Sequence, residues 1–246
     1  GSRNLIINGD QKIWQRGTSF TTITSADYCC DRWRVQHSGL DGNIDVARST
    51  DVPSNKGFYY SQKVSADASE TSLDASDLVM IQQVFEGQDL QHLLKGTSDA
   101  KKITLSFWVK SSVASTYTIE LKDNDNSRTI SKSYAISSAN TWQYVTLTFD
   151  GDTSGSFTNA NTGSLIVAFW IDAGSTYTSG TMTTAWQAQV NADRIYDTTG
   201  WAESTSPEFY LTGVQLEVGE QATPFEHRSF GDELIRCQRY YYKTVT

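Results

Sequence analysis

The chain has 246 residues, long enough to bury a core without metal or disulfide staples, with 20 Lys plus Arg against 28 Asp plus Glu and a net charge of -8. A field of that sign repels a phosphate backbone and no Lys/Arg run reverses it locally, which excludes nucleic acid as a partner class. The apolar runs are too short to cross a bilayer and the chain does not open on a signal-peptide pattern, so no membrane insertion is expected.

Gly1-Ser2 reads as a cloning scar, leaving a fragment of a longer protein. Candidate strands then follow one another by period-two alternation: "NLIING" from Asn4, "DRWRVQ" from Asp31, "KGFYYSQKV" from Lys56 and "LVMIQQVF" from Leu78. Next comes a short helix in "EGQDLQHLLKG", with Leu90, Leu93 and Leu94 at helical spacing and Gly96 just past its end. Strands resume with "KITLSFWVKS" from Lys101 and "STYTIELKD" from Ser115, and continue with "TWQYVTLTFDG" from Thr141 and "SLIVAFWIDAG" from Ser164. A long polar stretch between Asp172 and Glu208, either a functional loop or a flexible one, holds Trp186 and Trp201. "EFYLTGVQLEVG" is the last candidate strand, and "SFGDELIRCQRYY" offers Ser229 and Asp232 as a helix cap.

Strands at this spacing, separated by Asx and Gly turns, predict an all-β fold: a two-sheet antiparallel β-sandwich with one or two short helices. Cys29, Cys30 and Cys237 are an odd set with one adjacent pair, which reads as three reduced thiols and suits folding in a reducing cytoplasm.

Motifs for catalysis fail one by one. The three histidines are unspaced, no nucleophile elbow or phosphate loop is present, and the start of an EF-hand loop at Asp123, Asp125 and Ser127 breaks down. Arg128 stands where that loop needs glycine and Tyr134 where it needs glutamate, so the segment reads as a turn.

Three strands place one aromatic on the face opposite their aliphatic row. Leu105, Phe107 and Val109 alternate with Trp108; Val145, Leu147 and Phe149 with Tyr144; Val167, Phe169 and Ile171 with Trp170. If the strands share a sheet, Trp108, Tyr144 and Trp170 form a platform on its outer face, suited to sugar rings whose C–H faces pack on π-systems. The same rings also suit burial under the long loop or between subunits. Trp186 and Trp201 are the alternative carbohydrate-binding positions.

"RNLIINGDQKIWQRGTSF" with "DRWRV" soon after, and "YLTGVQLEVGEQATPFEHRSFGDELIRCQRYY" at the far end, resemble the opening and closing segments of a jelly-roll module common in bacteriophage tail-fibre and other virion fibre proteins. That module is itself similar to carbohydrate-binding modules. The resemblance implies a jelly roll over residues 3–228 with first and last strands adjacent, then a short helix and a strand or linker over 229–246. It implies a non-catalytic receptor-binding module of a virion tail or head fibre, a homotrimer folded in the host cytoplasm, whose partners are host cell-surface glycan and other virion proteins. A purely structural fibre or trimerisation module and a polysaccharide depolymerase are the rival readings. Carbohydrate-binding relatives often hold a structural calcium through an early carboxylate and an aspartate of the last strand. Asp10 matches the first, but Glu217 stands where the aspartate belongs, a departure that counts against the metal.

Overall fold

All but the first of the expected strands form. The computed structural model describes residues 2–244, and thirteen strands follow in chain order. They are β1 (Ser19–Phe20), β2 (Ala26–Tyr28), β3 (Arg34–Ser38), β4 (Ile44–Ser49), β5 (Ser61–Ala66), β6 (Leu78–Glu86) and β7 (Ile103–Ser111), then β8 (Ser115–Asp123), β9 (Arg128–Ile136), β10 (Gln143–Phe149), β11 (Gly163–Ala173), β12 (Gln187–Ala188) and β13 (Glu208–Val218). Two α-helices lie among the described residues, α1 (Ser175–Thr178) and α2 (Phe230–Gln238). No helix among the described residues is long and apolar enough to cross a membrane.

The strands form two antiparallel sheets, ordered β1-β4-β5-β13-β7-β10 and β12-β9-β8-β11-β6-β3-β2. The alternating aliphatic rows point inward. Phe107 of the first sheet meets Phe169 of the second edge-on, ring centroids 5.1 Å apart, and both are fully buried with Leu105, Phe149 and Val167. Burying each such Phe contributes about 1.5–3 kcal/mol. Leu147 shares their parity but is only half-buried, because β10 is an edge strand with no partner beyond it to cover its flank.

Several expectations are corrected. "NLIING" is not a ladder strand: Asn4 uses its side chain instead, accepting from the Ile6 and Leu216 N–H groups at 3.0 Å each, while the Leu5 N–H donates to the Leu216 carbonyl at 2.9 Å. The opening segment therefore does lie beside the last strand, but pinned by an Asn side chain. "EGQDLQHLLKG" forms two 3₁₀ turns, Gly87–Asp89 and Gln91–Leu93, closed by Leu94 in the left-handed region rather than by Gly96. The β4 and β9 strands were missed because a charged residue falls in each inward row, Arg48 after Ile44 and Val46, and Lys132 between Ile130 and Tyr134. The Asp123–Asn126 segment is the expected turn, its Asp123 carboxylate accepting from the Asp125 and Asn126 N–H groups.

Strand β13 carries the feature that shapes the outer face. Thr212 pairs with Trp108 of β7, but the next pair is Gln215 with Ser106, so one extra residue sits in β13. Gly213 occupies this bulge at φ +63°, a conformation that costs a side chain strain. Beside it the Val214 N–H leaves the ladder and donates to the Gly9 carbonyl at 3.0 Å, docking the opening segment into the bulge.

The C-terminal helix starts at Ser229, whose hydroxyl accepts from the Asp232 N–H at 3.1 Å as the cap pattern predicts. It packs on the sandwich through buried Glu233, which accepts from the Asn8 N–H at 2.7 Å. Arg32 and Arg16 then stack on Tyr240 and Tyr241, each 3.5 Å from the ring centroid. Cys29, Cys30 and Cys237 are all buried and unbridged.

Candidate functional site

The outer face of the β1–β10 sheet carries an open groove of about 420 Å³. Its floor comes from neighbouring strands: Ser106 and Trp108 on β7, the Gly213 bulge on β13, and Tyr144 on the edge strand β10. Tyr144 and Trp108 pair directly across the β7–β10 ladder, and their rings lie 5.2 Å apart at 39°. Tyr144 is 45% exposed and Trp108 half-buried, so the pair presents its faces to solvent.

Two loops build the walls. The segment before β5 brings Lys56 and Phe58, and the segment after β13 brings Pro224, Phe225 and His227. Phe58 lies 5.1 Å from Phe225 and 5.5 Å from His227, while Phe225 and His227 are 4.9 Å apart. The bulge makes this cluster possible. A Cβ on Gly213 would stand 2.6 Å from Phe58 Cζ, so only a glycine there lets the ring rest on the sheet. Lys56 Nζ sits 5.6 Å above the Trp108 ring. Among the described residues no carboxylate lines the groove.

A second aromatic pair adjoins on the same face, Trp142 and Tyr210 at 6.1 Å. It is filled from within. Lys110 lies 4.5 Å from the Tyr210 centroid and is paired with Asp51, which also accepts from Trp142 Nε1 at 2.9 Å. Lys63 is paired with Glu208 at 2.9 Å, and the Tyr210 hydroxyl donates to the same carboxylate at 2.6 Å.

The structure separates the other expected rings from this face. β11 belongs to the opposite sheet, so Trp170 cannot join Trp108 and Tyr144. Trp170 is 1% exposed, covered by the stretch after β11: Tyr177 lies 5.4 Å from it and the Arg194 guanidinium 5.1 Å above it. That long polar stretch is an ordered cover, pinned by the buried Arg194–Glu120 pair at 2.7 Å and by Ser131, which donates to the Arg194 carbonyl. Trp201 is 0% exposed and part of the main core. Trp186 is half-buried elsewhere, donating to the Asp150 carbonyl at 2.8 Å, with Lys95 5.3 Å from its ring and a cavity of about 20 Å³ beside it, room for one water.

The residues do not fit the calcium arrangement. Asp10 is paired with Lys12 at 3.0 Å. The buried Glu217 carboxylate accepts from Gln215 Nε2, the Thr223 N–H and the Thr223 hydroxyl at 2.7–3.0 Å, which leaves its oxygens occupied by donors. Among the described residues no group of three or more His, Cys, Asp or Glu converges on one point.

Sequence reasoning missed Lys56, Phe58, Phe225 and His227. The signal was present in β13, where the inward row runs Phe209, Leu211 and then jumps phase to Val214 and Leu216 across Gly213. A phase jump at a glycine marks a bulge, and a bulge marks a place where something else approaches the strand.

No protein-family model matches the chain, and no curated protein sequence does. Solved structures do. The enzymatically active domain of bacteriophage CBA120 tailspike protein 4 matches at 13% identity and a TM-score of 0.43, over 81% of this chain and 22% of that one. A family 11 carbohydrate-binding module of a Clostridium thermocellum cellulosomal cellulase matches at 11% identity and a TM-score of 0.41, over 82% of this chain and 96% of that one. The N-terminal cellulose-binding domain of Cellulomonas fimi β-1,4-glucanase C matches at 15% identity and a TM-score of 0.40, covering 84% and 97%. Each is a likeness of fold only. The chain spans 22% of the tailspike chain, so that protein's activity is not carried over with the match.

Proposed function

We propose that this chain is a non-catalytic glycan-binding module whose site is the Trp108–Tyr144 groove. The carrying observation is a pair of rings 5.2 Å apart and tilted by 39° on the outer sheet face, walled by Phe58, Phe225 and His227, with Lys56 over Trp108 and Tyr144 open to solvent. A groove of about 420 Å³ falls in the usual ligand range of roughly 300–1,000 Å³. Flat rings receive the C–H faces of a sugar, and Ser106, Lys56 and His227 offer hydrogen bonds to its hydroxyls. The lining supplies neither member of the carboxylate pair that glycosidic hydrolysis uses.

The sequence resemblance supports the setting we propose, a virion fibre that attaches to host cell-surface glycan. Three copies per fibre and several fibres per virion raise weak single-site binding by effective concentration.

A glycan array of neutral and charged host polysaccharides, probed with wild type and Trp108→Ala while light scattering records oligomeric state, tests the reading. Binding that Trp108→Ala removes from an intact assembly supports it. Dissociation of the variant into monomers places these rings in a subunit seam instead.

A further inference from the structure

The groove's charge does not match the rest of the chain. The net charge is -8, yet the two ionisable side chains in the walls are Lys56 and His227, and no Asp or Glu lines the surface between them. They stand together: a Cβ on Gly57, the residue after Lys56, would lie 3.3 Å from His227 Nε2.

Lys56 is also free. Lys63 and Lys110 on the same face are paired with Glu208 and Asp51, whereas Lys56 makes no ion pair or side-chain hydrogen bond among the described residues. The carboxylates of the wall segment are turned away and consumed. Glu220 is paired with Lys102 at 2.9 Å, and Glu226 accepts from Ser2, the Arg3 and Asn4 N–H groups and Arg228. An unpaired ammonium 5.6 Å from the Trp108 centroid, on a wall segment whose next residue approaches the His227 imidazole, is placed to meet a charged substituent of a sugar on that surface.

We propose that the groove selects acidic glycans, polymers of carboxylate-bearing sugars, with the sugar ring on Trp108 and Tyr144 and its carboxylate toward Lys56 and His227. This rests on the glycan-binding reading and narrows it to a ligand class. The protein's overall negative field is screened over about 8 Å at physiological ionic strength, so contact with the Lys56 ammonium decides the outcome. Lys56 is exposed, so its single ion pair is worth about two- to fivefold in affinity, and repetition along a polymer multiplies it.

The test uses polygalacturonate, alginate, hyaluronan and polysialate, each beside its carboxyl-reduced form, with dextran and cellulose as neutral polymers. Wild type is expected to bind at least one acidic polymer, to bind its carboxyl-reduced form more weakly, and to bind less as salt rises. Lys56→Met should weaken binding to the acidic form about two- to fivefold more than binding to its reduced form, and Lys56→Arg should restore the difference. Equal binding to acidic and reduced forms, or binding to neutral polymers alone, with loss in Trp108→Ala, overturns the acidic selectivity and leaves the groove as a glycan site. Acidic binding that survives Trp108→Ala overturns the groove itself. Binding to none of the acidic polymers overturns the selectivity, while the host-glycan array still decides the broader reading.

Discussion

Tyr144 faces Trp108 directly across the β7–β10 ladder, with their ring centroids 5.2 Å apart on the solvent side of the sheet. In the proposed reading a sugar rests on both rings at once. Alanine replacement of a ring under a stacked base costs about 1–3 kcal/mol, the nearest measured analogue for a stacked sugar. Trp108→Ala is therefore expected to weaken polysaccharide binding roughly tenfold, since about 1.4 kcal/mol is a factor of ten. Tyr144→Ala, at the exposed rim, should cost less. Titration calorimetry on variants with unchanged melting temperature checks both, and unchanged binding in Trp108→Ala would sink the assignment.

Trp170 should behave as a core residue. It is buried beneath Tyr177 and Arg194 on the other sheet, so Trp170→Ala is expected to cost about 3–5 kcal/mol of stability, as is Phe107→Ala between the sheets. Trp170 Nε1 has no hydrogen-bond partner, so Trp170→Phe breaks no bond and should cost less than Ala. Denaturant melts rank the three. Polysaccharide binding by the folded fraction should stay at the wild-type level in every case.

Parity along a strand told which residues share its faces, and it was right for Phe107, Phe149, Phe169 and their neighbours. Parity carries no information about which sheet a strand joins. β7 and β10 pair, but β11 enters the other sheet between β6 and β8, so identical patterns around Trp108 and Trp170 led to opposite environments. Nor does composition distinguish a cover from an open loop. The stretch after β11 looks featureless in sequence because it is held by Arg194–Glu120 and by backbone bonds such as Thr183 to Asp193, not by an apolar period. The groove walls were unreadable for a related reason. Phe58 looked like part of a strand and His227 like a lone histidine, and only the fold brings them to 5.5 Å.

Gly213 links the fold to the groove. With φ at +63°, any Cβ there adds backbone strain of about 1–2 kcal/mol and meets Phe58 Cζ at 2.6 Å. Gly213→Ala is expected to lower stability, push Phe58 out of the wall and weaken glycan binding. Truncating the ring removes the clash, so the Phe58→Ala, Gly213→Ala double variant should be more stable than the two single effects added together. A double-mutant cycle in urea measures this coupling. Simple additivity would mean that Phe58 does not rest on the bulge.

Glu226 sets the pH dependence of the wall that carries Phe225 and His227. Its partial burial pushes its pKa up. Hydrogen bonds from the Asn4 and Arg3 N–H groups and the Ser2 hydroxyl, together with the Arg228 charge, outweigh that and bring it from 4.5 to about 2. A carboxyl depressed on folding adds stability that is fully present above its unfolded pKa, near 4.5, and is lost as pH falls toward 2. The Glu226 side chain keeps 24% of its surface exposed, so solvent screening discounts the effect on global stability. Locally it ties the opening segment to the segment after β13, so its protonation should loosen the groove wall before the sandwich melts. Amide exchange at Arg3 and Asn4 is therefore expected to quicken as pH falls from 4.5 to 2 while far-UV circular dichroism holds. Glu226→Gln, which cannot ionise, should show the fast exchange already at pH 7 and a flat profile below it. If that variant keeps the wild-type pH profile, the switch belongs to another carboxylate.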